Sequence, residues 1–148
     1  MKDKNQALWE FISKYPNIPG YLTFNSIIEL INSTGLIPVS SEDAIETYTD
    51  GSSRREYVFA IAQMYVYDTG TSQTNIISMG DMQAFMDWII AQNESGNYPD
   101  FGEDCFVESI EPLQNMPNLA GTSENMVAKY MFQCRIVYYQ EGKINGGT

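Results

Sequence analysis

The chain has 148 residues, of which 43% are hydrophobic and 13% aromatic, a size and composition that suit one globular domain with a single core. Its formal net charge is −11, and no Lys or Arg occurs between Arg55 and Lys129, so we expect no specific binding of nucleic acid. Histidine is absent, which removes the commonest general base and metal ligand. We also expect neither a transmembrane helix nor a secretory signal, and hence a protein of the cytoplasm of the producing cell that does not bind membranes.

The first third of the chain, residues 1–43, predicts a helix followed by an irregular segment. Within the stretch 5–14 and directly after it, apolar residues recur at helical spacing: Leu8, Phe11, Ile12 and Tyr15. Such a stripe predicts an amphipathic helix, which Pro16 stops. Residues 24–37 combine a helical stripe with β-branched residues, and we interpret them as a short helical turn and a crossing segment rather than strands.

The middle of the chain predicts a β-hairpin. An alternating run from Ala44 leads into Asp50-Gly51, a pair that favours a tight turn between strands. The return strand, Arg55 to Asp68, carries apolar residues on both faces. This pattern indicates that helices cover one face and that a neighbouring subunit or sheet covers the other.

A helix, two strands and a tail are predicted to follow. After a polar connection over residues 70–75, the apolar stripe of residues 79–93 predicts the second main helix. Residues 105–111 and 125–140 alternate as strands, residues 113–122 are interpreted as a loop, and residues 141–148 as a flexible tail. The order predicts a single α+β domain over residues 1–148: an antiparallel sheet of about four strands with two main helices packed on one face.

Groups that could carry chemistry are sparse. The acidic residues Asp100, Glu103 and Asp104 lack the spacing of a calcium-binding loop, so we interpret them as a solvated loop. The two cysteines, Cys105 and Cys134, have no metal-binding spacing, and we expect reduced thiols without a bridge. We therefore predict no catalytic residue, no metal site, no cofactor and no enzymatic activity.

Tyrosine is abundant on the predicted strands, and two arginines follow the predicted hairpin turn. Tyrosine suits surfaces that are half buried against a partner, and arginine binds carboxylates bidentately. The alternatives are a solvated turn and a sheet core whose hydroxyls reach solvent. The candidate subunit interface consists of Arg54, Arg55, Tyr57, Tyr65, Tyr67, Tyr130, Tyr138 and Tyr139.

Several short motifs, in their order and spacing, resemble those of one protein family. The stretch Tyr48-Thr-Asp-Gly-Ser52, followed by Phe59, resembles the YxDGS hairpin of small phage minor capsid or tail-terminator proteins from Gram-positive hosts. Asn75 and the later Trp88-Ile-Ile-Ala-Gln92 resemble the Asn and the W-I-x-x-Q helix segment of that family. Residues 128–140 resemble its AxYxxxCRxxYYQ strand, and the match covers roughly residues 48–140.

The resemblance implies a tail-terminator-like fold and a structural, non-enzymatic role. Such proteins form a ring, commonly a hexamer, that stops growth of the tail tube and joins its end to the head or collar. The implied partners are copies of the chain itself, the tail tube, and sheath or head-connector proteins. The implied location is a virion or a DNA-free phage-tail-like particle. The alternatives are another particle component, such as a head–tail completion or baseplate protein, and a small-molecule-binding or enzymatic α+β domain.

Overall fold

The computed structural model describes residues 3–18, 21–25, 33–66, 73–114, 116–122 and 127–142. None of the helices in these ranges is both long and apolar enough to cross a membrane. Within the same ranges the chain forms two helices and six strands. In chain order, these are α1 (Lys4–Ile12), β1 (Tyr21–Phe24), β2 (Ser33–Thr47), β3 (Ser53–Val66), α2 (Gln73–Glu94), β4 (Cys105–Pro112), β5 (Asn118–Thr122) and β6 (Val127–Gln140).

All six strands belong to one mixed sheet with the order β1-β2-β3-β6-β4. The β1–β2 pair is parallel, and the other pairs are antiparallel. Strand β3 pairs with β6 over the full 14 residues of each strand. On its other side, β6 pairs first with β5 and then with β4. The sheet is therefore built around the long β3–β6 pair.

Both helices pack on the same face of the sheet. In the core, the ring of Phe85 on α2 lies 5.9 Å from the ring of Phe132 on β6 and stacks 4.1 Å from Tyr15, which follows α1. From the sheet side, the hydroxyl of Tyr57 donates to Asn5 Oδ1 on α1. Because successive side chains of a strand point to opposite faces, β3 also presents Ala60 and its alternate neighbours to the opposite face of the sheet.

The predicted helix over residues 5–14 is confirmed as α1, with bounds that differ by one or two residues. Its first turn is capped by Asp3, whose Oδ1 accepts a hydrogen bond from the Asn5 N–H at 2.8 Å, as expected for a helix N-cap. At its end, the hydroxyl of Ser13 donates to the Trp9 carbonyl at 2.6 Å. The second predicted helix, over residues 79–93, corresponds to α2, which begins six residues earlier, at Gln73.

The predicted sheet is wrong: it was expected to be antiparallel with about four strands, whereas it is mixed and has six. Strand β1 and the first part of β2 lie within residues 1–43, where an irregular segment was predicted after the helix, and β5 lies where a loop was predicted. Gly35 and Pro38 argue locally against a strand. Pro38 is tolerated because β1 ends opposite Leu36 and the β2–β3 register shifts directly after Pro38. Residues 26–32 and the predicted tail beyond Gly142 lie outside the described residues.

Candidate functional site

Four of the tyrosines predicted to form a subunit interface lie in the core of the chain. Tyr57 and Tyr138 are fully buried, and Tyr65 and Tyr130 are 8% and 4% exposed. All four point to the face of the sheet that the helices cover. Packing within one chain therefore accounts for their burial. Tyr67 lies outside the described residues.

The hydroxyls of two of these tyrosines bond inside the chain. Tyr57 donates to Asn5 Oδ1, and Tyr65 donates to Gln63 Oε1, each at 2.5 Å. The amide of Gln63 in turn donates to Thr34 Oγ1 at 3.2 Å. Burial raises the pKa of Tyr57 to about 12 and also raises the pKa of Tyr65. These hydroxyls therefore remain protonated and donate hydrogen bonds within the core, as expected of buried polar groups.

The remaining candidate residues, Arg54, Arg55 and Tyr139, lie near the turn that joins β2 to β3 and are partly exposed. Arg54 and Tyr139 are direct partners in the β3–β6 register, and Tyr139 is in turn the partner of Phe106 on β4. The ring of Phe106 lies 6.2 Å from that of Tyr139 and is 51% exposed. Arg55 Nε donates to Ser53 Oγ at 2.8 Å. A row of one cation and two aromatic rings, each at least partly exposed, thus crosses three strands.

Arg54 finds its carboxylate partners within its own chain. Its Nε donates to Glu108 Oε1 at 2.7 Å, and its Nη1 lies 3.5 Å from Glu46 Oε1. The hydroxyl of Tyr48 also donates to Glu46 Oε1, at 3.4 Å. The bond to Glu108 raises the pKa of Arg54. The predicted contact with an acidic patch of a neighbouring copy stays a prediction, but this guanidinium already pairs with two glutamates of its own chain.

The predicted Asp-Gly hairpin turn is confirmed, and its backbone is held by several hydrogen bonds. The Tyr48 N–H donates to the Ser52 carbonyl at 2.9 Å, and the Gly51 N–H donates to the Tyr48 carbonyl at 3.0 Å. Asp50 Oδ1 accepts from both the N–H and the hydroxyl of Ser52, which lowers the pKa of Asp50. Gly51 has φ +88°, in the left-handed region that glycine adopts at little cost.

The chain that leaves β6 crosses directly over this turn. A Cβ atom at Gly142 would lie 2.6 Å from both the Asp50 carbonyl oxygen and the Ser52 nitrogen, so only glycine fits there.

Around the braced turn, residues 44–51 are all exposed, with Ile45 at 49% and Tyr48 at 42%. We call Ile45, Tyr48, Arg54, Phe106 and Tyr139 the hairpin-end surface.

The acidic residues that might have formed a cation site do not converge. Asp100 Oδ1 accepts a hydrogen bond from the Gly102 N–H at 3.0 Å, which is a local turn. Across the described ranges, no group of three or more His, Cys, Asp or Glu side chains is placed to hold a metal ion. The absence of enzymatic activity stays a prediction.

The two cysteines are both free and buried. Cys105 is the register partner of Gln140, which lies six residues along β6 from Cys134. At the usual rise of a strand, this spacing separates them by about 20 Å, too far for a disulfide. Burial raises the pKa of the Cys134 thiol well above its ordinary value, which makes it unreactive.

A groove of about 600 Å³ lies between α1 and β1. Its walls include the rings of Trp9 and Phe24, whose centroids are 6.5 Å apart in an edge-to-face arrangement. Its polar groups are used within the chain, because Asp3 caps α1 and Asn5 accepts from Tyr57. Small-molecule sites usually present convergent polar groups, so this groove gives little support to a ligand-binding role.

The sequence matches no protein-family model, and a comparison with curated proteins found no match. The sequence alone indicated Arg54 and Tyr139 but not Phe106, whose ring lies near that of Tyr139, nor Ile45, whose neighbours on β2 pair with Arg55 and Arg54. Phe106 begins an ordinary alternating strand, and only its register against Tyr139 places it on the surface. The observations that bear on function are therefore the exposed surfaces of the chain and the resemblance of its motifs.

Proposed function

We propose that the chain is a structural ring subunit of a phage tail or phage-tail-like particle, where it ends the tail tube and joins it to the head or collar. The observation that carries this proposal is the hairpin-end surface. The motif Tyr48–Ser52, which resembles the terminator hairpin, forms a braced turn whose surroundings are exposed and partly apolar.

The braced turn suits a contact between subunits for an energetic reason. A loop that is already ordered loses little conformational entropy when it binds, so more of the contact free energy remains as affinity. Aromatic residues and arginine contribute most often to binding hot spots. Tyr48, Phe106 and Arg54 combine these residue types, and Arg54 pairs with Glu46 and Glu108 within the chain.

The charge of the chain is compatible with a passage for DNA in a particle that carries a genome. The net charge of −11 gives the subunit a strongly negative potential, which repels phosphate. We hypothesise that the ring lumen is acidic and lets DNA slide without binding. An assembled ring whose channel is lined by Arg54, Arg55 and Lys129 would refute this part of the proposal.

Light scattering of the purified chain, alone and with tail-tube protein, tests the proposal. We expect either a closed multiple of the 16.7 kDa subunit or a monomer that assembles only on the tube end. Ile45→Lys should prevent this assembly, because it places an ammonium group in the hairpin-end surface. Leu119→Lys is the matched control, since Leu119 is similarly exposed at 45% but lies on β5, which pairs with the opposite end of β6.

Two outcomes contradict the proposal. A monomer that is indifferent to tube protein favours another particle component or a ligand-binding role. Assembly that survives Ile45→Lys but is lost with Leu119→Lys shows that subunits meet elsewhere on the chain. Circular dichroism of both variants should match the parent, because both side chains are exposed.

A further inference from the structure

Helix α2 carries large apolar side chains on its outer side as well as on its inner side. Its inner side chains Phe85 and Ile89 are fully buried. On the outside, Ile76, Ile77 and Ile90 are 64%, 57% and 40% exposed. A helix on the surface of a globular protein normally turns a polar face to solvent, whereas a helix that is apolar all round is covered on both sides. The three exposed isoleucines of α2 therefore give its outer face an apolar part, of the kind that a partner helix covers.

Six outer positions of α2 form one straight stripe. They are spaced alternately by three and four residues, which is the spacing of a helix–helix seam. All six are exposed: Ile77, Gly80, Ala84, Asp87, Ala91 and Glu94. Nothing lies within 4 Å of the place that a Cβ atom would take at Gly80. At about 1.5 Å per residue the stripe extends about 25 Å, and its small side chains leave room for a second helix.

The charges on this face select the chemistry of the partner. The charged residues of α2 are Asp81, Asp87 and Glu94, and all three are exposed. A partner helix with Lys or Arg beside its apolar stripe would pair with them, and such complementary charges direct association. The partner suited to the outer face is thus both apolar and basic.

A second copy of the chain does not meet this requirement. Two α2 helices side by side would bring together acidic residues with no basic partner, because α2 contains no Lys or Arg. Helix α1 exposes Asn5, Gln6 and Glu10, and its only basic residue, Lys4, is buried. The net charge of −11 per chain adds a general repulsion between copies.

We propose that the outer face of α2 is a docking surface for a basic amphipathic helix of a different protein. This inference does not rest on the proposed ring, since the ring contacts are assigned to the hairpin-end surface. It adds a separate site at which another component attaches to the acidic subunit.

The first test uses a designed peptide as the probe. The peptide is a blocked, fluorescein-labelled helix of three heptads with Leu and Ala in the seam and Lys at the flanking positions. Its control has Glu in place of every Lys. We expect fluorescence anisotropy at low salt to show binding of the Lys peptide that is at least about tenfold tighter than that of the Glu peptide, a difference of about 1.4 kcal/mol. No binding of the Lys peptide overturns the inference.

The second test maps the binding site with two charge-matched variants. Asp87→Lys combined with Glu94→Lys should weaken binding by about tenfold or more, because each reversal places like charges together. Glu103→Lys combined with Glu141→Lys makes the same change in net charge at two exposed residues outside α2, and it should alter affinity by less than about twofold. An equal loss with both variants would identify a general attraction of opposite charges and would overturn the inference.

Analytical ultracentrifugation of the same variants separates this inference from the proposed ring. If reversing Asp87 and Glu94 changes the oligomeric mass of the chain alone, a second copy occupies the face, and the docking inference is wrong while the ring gains support. If the mass is unchanged and the peptide is lost, the docking inference stands whether or not a ring forms.

Discussion

Replacing Gly80 by alanine tests whether this glycine lowers the stability of α2. Gly80 lies inside the helix, and the position of its missing Cβ is open. Glycine in a helix interior is less stable than alanine by about 0.5–1 kcal/mol. Because no neighbour resists the added methyl group, Gly80→Ala should raise the free energy of unfolding by about this amount. For a domain of this size, the Tm rises by roughly 2–4 °C per kcal/mol.

The matched variant is Gly96→Ala, which should have the opposite sign. The Cβ position at Gly96 is equally open, but its φ is +73°, where an L side chain costs about 1–2 kcal/mol. Thermal unfolding by circular dichroism and urea titration should therefore show Gly80→Ala above the parent and Gly96→Ala below it. If both variants shift the Tm in the same direction, backbone conformation does not decide the sign, and the reasoning is wrong.

Three further predictions concern the core and the turn. Tyr57→Phe removes the hydrogen bond to Asn5 and should cost about 1 kcal/mol in urea titrations. Since the pKa of Tyr57 is raised from 10.0 to about 12, the stabilisation from its hydroxyl is complete below pH 10 and is lost as pH rises towards 12. A Tyr57→Phe variant that loses as much stability at alkaline pH as the parent would contradict this role. Gly142→Ala forces a Cβ against the Asp50 carbonyl and should lower stability by about 1–3 kcal/mol, whereas an unchanged Tm would show that the crossing does not brace the turn. The thiols of Cys105 and Cys134 are both buried and should react with Ellman's reagent only after unfolding, so rapid labelling of the native chain would contradict the burial of at least one of them.

Features that depend on neighbours in the sequence were predictable. The apolar stripe of residues 5–14 specifies α1 because the helical period brings those side chains to one face. Asp50 and Gly51 specify the turn because glycine reaches the positive φ that the turn needs. The long alternating run of apolar residues in β6 likewise predicted a strand.

Features that depend on pairing with distant residues were not predictable. The short strands β1 and β5 have four and five residues, too few for a periodic signal, and they are strands because β2 and β6 offer open edges. Gly35 and Pro38 weaken the local strand pattern of β2, yet the register with β3 overrides it. Local propensity for strand structure is generally subordinate to such tertiary context.

The properties of the candidate surfaces also divide into those that follow from the sequence and those that follow from the tertiary structure. The sequence by itself determined the acidic charge, the Asp-Gly turn, the alternation of the tyrosines on β3 and β6, and the lack of basic residues on α2. Alternation separates two faces of a strand but does not say which face the helices cover. Only the tertiary structure decided that Tyr57 and Tyr138 belong to the core, that Phe106 joins Tyr139 on the surface, and that Ile77 remains exposed. The physical reason is that burial depends on which elements pack together, a property of long-range contacts rather than of local periodicity.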